Sequence, residues 1–395
     1  MNILFLSNTI GQDNRDNLTY NFILKEAKAL NDCNCKVIHF HSSAKDTLIS
    51  EVLFTGRREF ESISRMKIIF FLLKNIKTYL TLILVNVKQA LWAAKLELAI
   101  GEVIKKYDID IVHTHFMYPM GLCAANICKT FDIPIVSSLR GAEVCNLPHY
   151  SYGALQDVFF RKASLIGARA SQVITTPNIG MRAKAAKLFK VSKSKMKYLP
   201  NGVDNSILSY ELNPSKGGDL PIKLLSIGRL IPLKNHLSVL EAIKGFDSSF
   251  IELTLVGEGP LYNELVNYTK ENCLSNVTFI EEMPKEKLFQ TIAQTDFLIH
   301  PSLSEGLPNV VLEALALGKP CLVSEIDAHF DLITEGYNGY FFKQSEPKEI
   351  ERVIQRVCEN YSDDLSENCL ESIKNFTIEK KIIGYKEIYK SLLLR

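Results

Sequence analysis

Short apolar runs alternate with longer amphipathic stretches along this chain, the pattern of parallel strands joined by crossover helices. In the first half the strand-like runs are ILFLSN, KVIHFH, DIVHTHF, PIVSSLR and QVITTP, followed by MKYLP. A second series follows, made of IKLLSIG, IELTLVG, VTFIE, FLIH and CLVSE. Between the two series lies a polar stretch rich in Pro, Gly, Lys and Asp, residues 205–221, which is the best linker. The pattern predicts two doubly wound α/β domains whose ligands sit at the carboxyl ends of the strands, the domains facing each other across a cleft. The expected divisions are an N-terminal domain over 1–204, a C-terminal domain over 205–372, and a final helix over 373–395 that returns to the N-terminal domain. The opening MNILFLSN has too short an apolar run for a signal-peptide core and is expected to be the first strand.

One segment departs from the alternation. Residues 57–100 form a long, apolar and basic stretch, including SRMKIIFFLLKNIKTYLTLILVNVKQALWAAK. Lys67, Lys74, Lys88 and Lys95 share a seven-residue register, with Thr81 in the missing place and Lys77 close by. On helices this gives a narrow polar stripe in a wide apolar surround. No lysine-free run reaches the ~20 residues that span a bilayer. The stripe is either the solvent edge of helices buried on the N-terminal domain or an interfacial surface for anionic lipid, with Phe70, Phe71 and Trp92 on its apolar flank.

Composition narrows the class. At 395 residues the chain is too long for one core and fits two domains. With 46 basic and 44 acidic side chains it has no global footprint for nucleic acid. Nine cysteines without a CxxC pair point to a reducing, cytoplasmic setting rather than a disulfide framework.

The candidate chemistry is densest between Asp296 and Ser324, DFLIHPSLSEGLPNVVLEALALGKPCLVS. FLIH reads as a strand, SLSEG as a loop and the following residues as a helix. Ser304 or Asn309 is the candidate cap, Pro308 suits the first turn, and Gly318 with Pro320 closes the helix. Glu305 is then in the strand-to-helix loop and Glu313 about one turn into the helix. A helix N-terminus at the end of a parallel strand suits a phosphorylated ligand, and carboxylates accept hydrogen bonds from sugar hydroxyls. Taken alone, two such glutamates are also what a loop and a solvated helix face would carry. SIGRLIPLKN places Arg229 and Lys234 in a second loop, where two fixed cations would stabilise a leaving diphosphate. LTLVGEGP brings Gly257 and Gly259 to the end of another strand, where absent side chains let a ligand approach the backbone. These two glycines and Tyr262 do not complete a dinucleotide fingerprint, because Tyr262 takes the place of the third glycine.

In the first half, His113 and His115 share one face of a strand. A zinc pair would need a third ligand that no recognisable spacing offers, so packing, hydrogen bonding or acceptor contact is the better reading. Asp108 and Asp110 form a DxD on the amino side of that strand, which reads as a strand-start pair rather than a metal–diphosphate site.

The strings EGLPNVVLEALALGKP and GRLIPLKN resemble the family-4 retaining glycosyltransferases of the GT-B fold, strongly from Leu199 onward and weakly before it. The resemblance implies two Rossmann-like domains, a nucleotide-sugar donor and a saccharide or lipid-linked acceptor. It implies no cofactor and no divalent metal. It places Arg229 and Lys234 on the diphosphate, with Gly228, Gly257 and Gly259 lining the donor. Glu305, with the amides of Gly306 and Leu307, falls on the sugar, and Glu313 on the ribose. Many relatives carry Gly-Gly after the first strand, where this chain has only Gly11 in SNTIGQDNRDN. Many carry His-Gly-x-Asp/Glu where this chain reads Arg140-Gly141-Ala142-Glu143. Arginine is no base. Gly11, His115, Arg140 and Glu143 are therefore expected on the acceptor or reacting-centre side, with Arg140 stabilising phosphate charge or binding an anionic acceptor. The expected role is cell-surface polysaccharide or glycolipid assembly at the cytoplasmic face of a membrane. The competing expectations are a transferase for a small soluble acceptor and a non-catalytic scaffold that binds a sugar nucleotide.

Overall fold

The computed structural model describes residues 1–7, 21–150, 152–208, 220–344, 346–359, 362 and 364–394. Gly11 lies outside the described residues. The chain divides into two compact units, Met1–Leu199 with Lys381–Arg395, and Pro200–Lys380.

The first unit is built on β1 (Asn2–Leu6), β2 (Lys36–Phe40), β3 (Thr47–Ile49), β4 (Val52–Thr55), β5 (Ile111–His115), β6 (Ile135–Ser138), β7 (Val173–Thr176) and β8 (Met196–Tyr198). Their order is β3-β4-β2-β1-β5-β6-β7-β8, parallel except for β3 against β4. β5, β6 and β7 are buried along their whole length, as strands covered on both faces must be. Each opens on apolar residues and ends on buried His, Ser or Thr at its carboxyl end. The Asp108/Asp110 pair is structural. Asp108 ends a helix in the left-handed region, and the Asp110 Oδ2 accepts the Asn2 amide at 2.7 Å, fixing the start of β1 beside β5.

The second unit carries β9 (Ile222–Ile227), β10 (Ile251–Val256), β11 (Val277–Ile280), β12 (Phe297–His300), β13 (Cys321–Ser324) and β14 (Gly339–Phe342). All are parallel in the order β11-β10-β9-β12-β13-β14. Alternation along the strands sorts the core by face. Leu225, Leu298 and Val323 join one apolar cluster, and Leu224, Phe297, Ile299 and Leu322 join the other. The strand order reverses between β9 and β12, which makes their carboxyl ends the switch point where a doubly wound sheet takes its ligand.

The unit boundaries differ from the expected 204/205 and 372/373. Pro200–Asp204 goes with the second unit because Val203 is buried there. Its N–H donates to Phe376 O at 2.8 Å, and its carbonyl accepts from Ile378 N at 2.9 Å. The helix Asp364–Ile373 buries Cys369 and Ile373 in the second unit's core, and the following helix, Ile378–Leu393, supplies residues 381–395 to the first.

Candidate functional site

Two loops meet at the β9/β12 switch point. The loop after β9 runs through Gly228 and Arg229 into a single 3-10 turn, Pro232–Lys234. The loop after β12 runs through Glu305 to the helix Asn309–Ala316. Leu303 N donates to Leu233 O at 2.9 Å, which ties the loops together. Lys234 Nζ then lies 2.5 Å from Glu305 Oε1, both side chains largely covered. The Lys234 stem runs beside Gly228, where a Cβ would stand in van der Waals contact with it, 3.4 Å from Cε. Arg229 is exposed at the same edge.

Behind Glu305 stands a pair of buried histidines that the sequence reading did not single out. His329 Nδ1 lies 2.6 Å from Ser324 O. A carbonyl only accepts, so this nitrogen carries the proton. His329 Nε2, 2.9 Å from His300 Nδ1, is then the acceptor, and His300 donates. That leaves His300 Nε2 bare, 3.3 Å from the Ser302 hydroxyl and 3.5 Å from Glu305 Oε1. Burial, and next the Lys234 ammonium, hold His300 well below the usual histidine range. Burial also holds His329 down to about 4, against the Ser324 carbonyl and Glu305. Glu305 Oε1 therefore faces both an ammonium and an unprotonated imidazole. The carboxylate is anchored by one charge-assisted bond.

The other expected donor-side residues fall nearby, with two changes of role. Gly257 and Gly259 do face a close approach, but from their own unit's backbone. A Cβ would meet Gly228 O at 2.0 Å from Gly257 and Leu230 O at 2.4 Å from Gly259, at φ of 148° and 156°. Their bareness lets the Arg229 loop fold down, with Leu230 N donating to Glu258 O at 2.7 Å. The helix after Glu305 begins at Asn309 with Pro308 as its cap residue and no side-chain cap bond, so neither Ser304 nor Asn309 caps it. Asn201, from LPNGVD, holds that entry instead, its Nδ2 donating to Leu307 O at 3.0 Å and Asn309 Oδ1 at 3.1 Å. Gly306 and Leu307 are buried in this turn. Glu313 lies one turn along, 4.0 Å from Lys285 Nζ.

In the first unit, Arg140 has buried partners that its own motif did not show. Its guanidinium is buried, with Nη2 at 2.8 Å from Glu26 Oε2 and 2.8 Å from His115 Nδ1. Glu26 also takes Lys381 Nζ at 2.7 Å, and the Tyr385 hydroxyl reaches it at 3.3 Å. Burial alone would raise the Glu26 carboxyl, but the two cations hold it down to about 2. Arg140 is thus a counter-ion of a buried carboxylate that it shares with Lys381. Glu143 is a staple: its carboxylate accepts the amides of Arg140, Gly141 and Met117 at 3.1, 3.0 and 3.2 Å. His113 and His115 stack at 4.5 Å, fully buried, and His113 bonds Tyr389 OH at 2.6 Å and Ser138 Oγ at 2.7 Å. His113 is thereby tied into the core by hydrogen bonds on both ring nitrogens. Among the described residues no group of three or more His, Cys, Asp or Glu is placed to hold a metal ion.

The buried histidines carry a pH prediction. Burial lowers His39 and His113 to about 3 and His236 to about 4, and His115, His300 and His329 shift the same way. Below the ordinary histidine value of about 6.5 the unfolded chain takes up protons that the folded chain refuses, so stability falls with falling pH. Each histidine contributes roughly 1.4 kcal/mol per pH unit in that window. Glu97, raised to about 7 by burial, and Glu143, also raised by burial, act in the opposite sense but are two groups against six. The melting temperature is expected to drop clearly from pH 7.5 to 5.5 (about two units, spanning the histidine range). A flat profile would show that the histidines are protonated in the fold.

Two family models match the chain: Glycosyl transferases group 1 over residues 214–376 and Glycosyltransferase Family 4 over residues 73–206. An uncharacterized glycosyltransferase of Methanocaldococcus jannaschii is 26% identical over 292 residues, 73% of this chain and 78% of that protein. The UDP-Gal:alpha-D-GlcNAc-diphosphoundecaprenol alpha-1,3-galactosyltransferase of Escherichia coli is 25% identical over 318 residues, 75% of this chain and 79% of that protein. Among solved structures, Anabaena HepE in complex with UDP superposes with a TM-score of 0.75 at 15% identity, covering 99% of this chain and 100% of that one.

Proposed function

Because the chain is a glycosyltransferase of the GT-B fold, of the group 1 and family 4 type, we propose that it moves a sugar from a nucleoside diphosphate sugar to a saccharide or lipid-linked acceptor with retention at the anomeric carbon. The observation that carries this reading is the Lys234–Glu305 pair beside exposed Arg229 at the β9/β12 switch point. In the reaction the bond from the anomeric carbon to the diphosphate oxygen breaks as the acceptor hydroxyl bonds to that carbon. The hydroxyl proton passes to the departing diphosphate on the same face. Arg229 and Lys234 bind the charge that grows on the leaving group, assisted by the N-terminus of helix Asn309–Ala316. Glu305 accepts from sugar hydroxyls and Glu313 from the ribose. With these cations in place no divalent metal is required.

UDP in the complex of the HepE relative supports a uridine nucleotide as the donor carrier, and the name of the Escherichia coli relative supports a polyprenyl-diphosphate acceptor. Both fit assembly of a cell-surface polysaccharide or glycolipid from the cytoplasmic side. Thermal shift with UDP-, GDP- and ADP-sugars tests the donor: a bound donor at 100 times its Kd adds about 2.7 kcal/mol of stability and raises the melting temperature. No shift with any of the three overturns the donor reading. Transfer is expected to persist in EDTA; loss that Mg²⁺ or Mn²⁺ restores would put a metal back into the mechanism.

A further inference from the structure

The basic apolar segment folds into helices that are apolar on two faces. Arg65–Lys74 and Ile76–Ile83, separated by Asn75 alone, pack on the long helix Val87–Tyr107. Their inner faces bury Ile68, Leu72, Tyr79 and Leu82. The packing is pinned by polar bonds: Tyr79 OH donates to Glu97 Oε2 at 2.8 Å, and Glu97 Oε1 accepts the Asn126 and Ile127 amides at 2.6 and 2.9 Å. The helices are thus fixed in place by one apolar face, and the other remains in solvent. On the first helix Met66, Ile69, Phe70 and Leu73 recur at one-turn spacing, Phe70 being 65% and Leu73 64% exposed. On the second, Ile76, Leu80 and Leu84 recur every four residues, Leu84 being 77% exposed. Val85, Val87 and Leu91 add to this outer surface.

Charge identifies what covers it. From Ile63 to Leu96 the chain has Arg65, Lys67, Lys74, Lys77, Lys88 and Lys95 and not one Asp or Glu. The lysine stripe read from the heptad register is corrected by the fold. Lys95 lies 4.2 Å over the Phe60 ring, and Phe71 and Trp92 are half-buried on the core, whereas Lys77 is exposed with Lys67, Lys74 and Lys88. A second copy meeting this face by a two-fold axis would set cations against cations with no carboxylate between them. An anionic lipid surface instead offers phosphates to the lysines and an acyl layer to the apolar side chains. No helix among the described residues is long and apolar enough to cross a membrane.

We propose that this surface docks on an anionic bilayer, with Met66, Phe70, Leu73, Leu80 and Leu84 entering the headgroup–acyl boundary. The inference stands apart from the donor chemistry and gives a lipid-linked acceptor its meeting place. The test is sedimentation of the full chain with phosphatidylcholine vesicles, with and without phosphatidylglycerol. The wild type is expected to sediment with the anionic vesicles and to be released as salt rises. Lys67→Gln, Lys74→Gln, Lys77→Gln and Lys88→Gln together are expected to weaken binding by a few hundredfold, at roughly fivefold per lysine. Phe70→Ser, Leu73→Ser and Leu84→Ser together are expected to abolish it even at low salt. All seven side chains are exposed, so both variants are expected to melt like the wild type and to keep the donor-induced thermal shift, which separates loss of docking from loss of donor binding. Failure to sediment with either vesicle, salt-independent binding to both, or light scattering that shows an oligomer broken by the three serine changes would each overturn the proposal.

Discussion

Lys234→Ala is expected to lower turnover by at least ~100-fold, the scale of losing one preorganised charge donor to a leaving group. The structure gives two reasons for so large an effect. Lys234 is the cation nearest Glu305, 2.5 Å away, and both side chains are largely covered. Removing it takes charge from the departing diphosphate. It also leaves Glu305 facing only the bare Nε2 of His300, so the carboxylate loses its anchor. Donor affinity is expected to weaken as well, because the ground-state diphosphate is already charged. Arg229→Ala is expected to act on turnover and donor affinity to a similar degree, without the second effect, since Arg229 is exposed. Steady-state kcat and KM for both variants, with melting curves to show that they are folded, decide the matter. Near-normal rates in both would remove these residues from the mechanism.

Glu305→Gln is expected to cut kcat by about 10- to 100-fold, the worth of one charge-assisted hydrogen bond to a sugar hydroxyl. Glu313→Gln is expected to act mainly on the KM for donor. The two carboxylates have different surroundings. Glu305 is held by Lys234 beyond the end of β12, with His300 3.5 Å away, whereas Glu313 stands on a helix, 4.0 Å from Lys285. Glutamine keeps the shape of Glu305, and its amide oxygen in the Oε1 position still accepts from Lys234. The loss is therefore one of charge rather than of folding. A kcat defect at Glu313 with only a KM effect at Glu305 would exchange the two assignments.

The local layer of this protein was legible from its residues in order. Strands such as Phe297–His300 showed as short apolar runs because a strand covered on both faces has little polar side to display. Loops at strand ends showed as Gly, Pro and Ser clusters. Arg229, Lys234, Glu305 and Glu313 stood out because their neighbours form recognisable strings. That was sufficient for the two α/β domains, the enzyme class and the loops expected to carry the chemistry.

The partners of those residues were not legible. His300 and His329 are 29 positions apart, and they touch only because β12 pairs with β13 and the turn after β13 brings the second ring back. Arg140 read as a free cation, since its carboxylate, Glu26, is 114 positions away on a helix after β1. Lys381 joins the same carboxylate from the end of the chain. Gly257 and Gly259 showed as places of close approach, but whether a ligand or a neighbouring loop fills the space depends on the path of Gly228–Leu230. The lysine heptad showed as one stripe, and tertiary packing turned Lys95 onto Phe60 while leaving Phe70 outward. Periodicity and turn chemistry are properties of adjacent residues, so the sequence by itself determined the elements and the motif loops. Charge neutralisation, tautomer and exposure are properties of neighbours in space, which strand order and helix packing choose, so only the tertiary structure decided which cations remain available and which face is left uncovered.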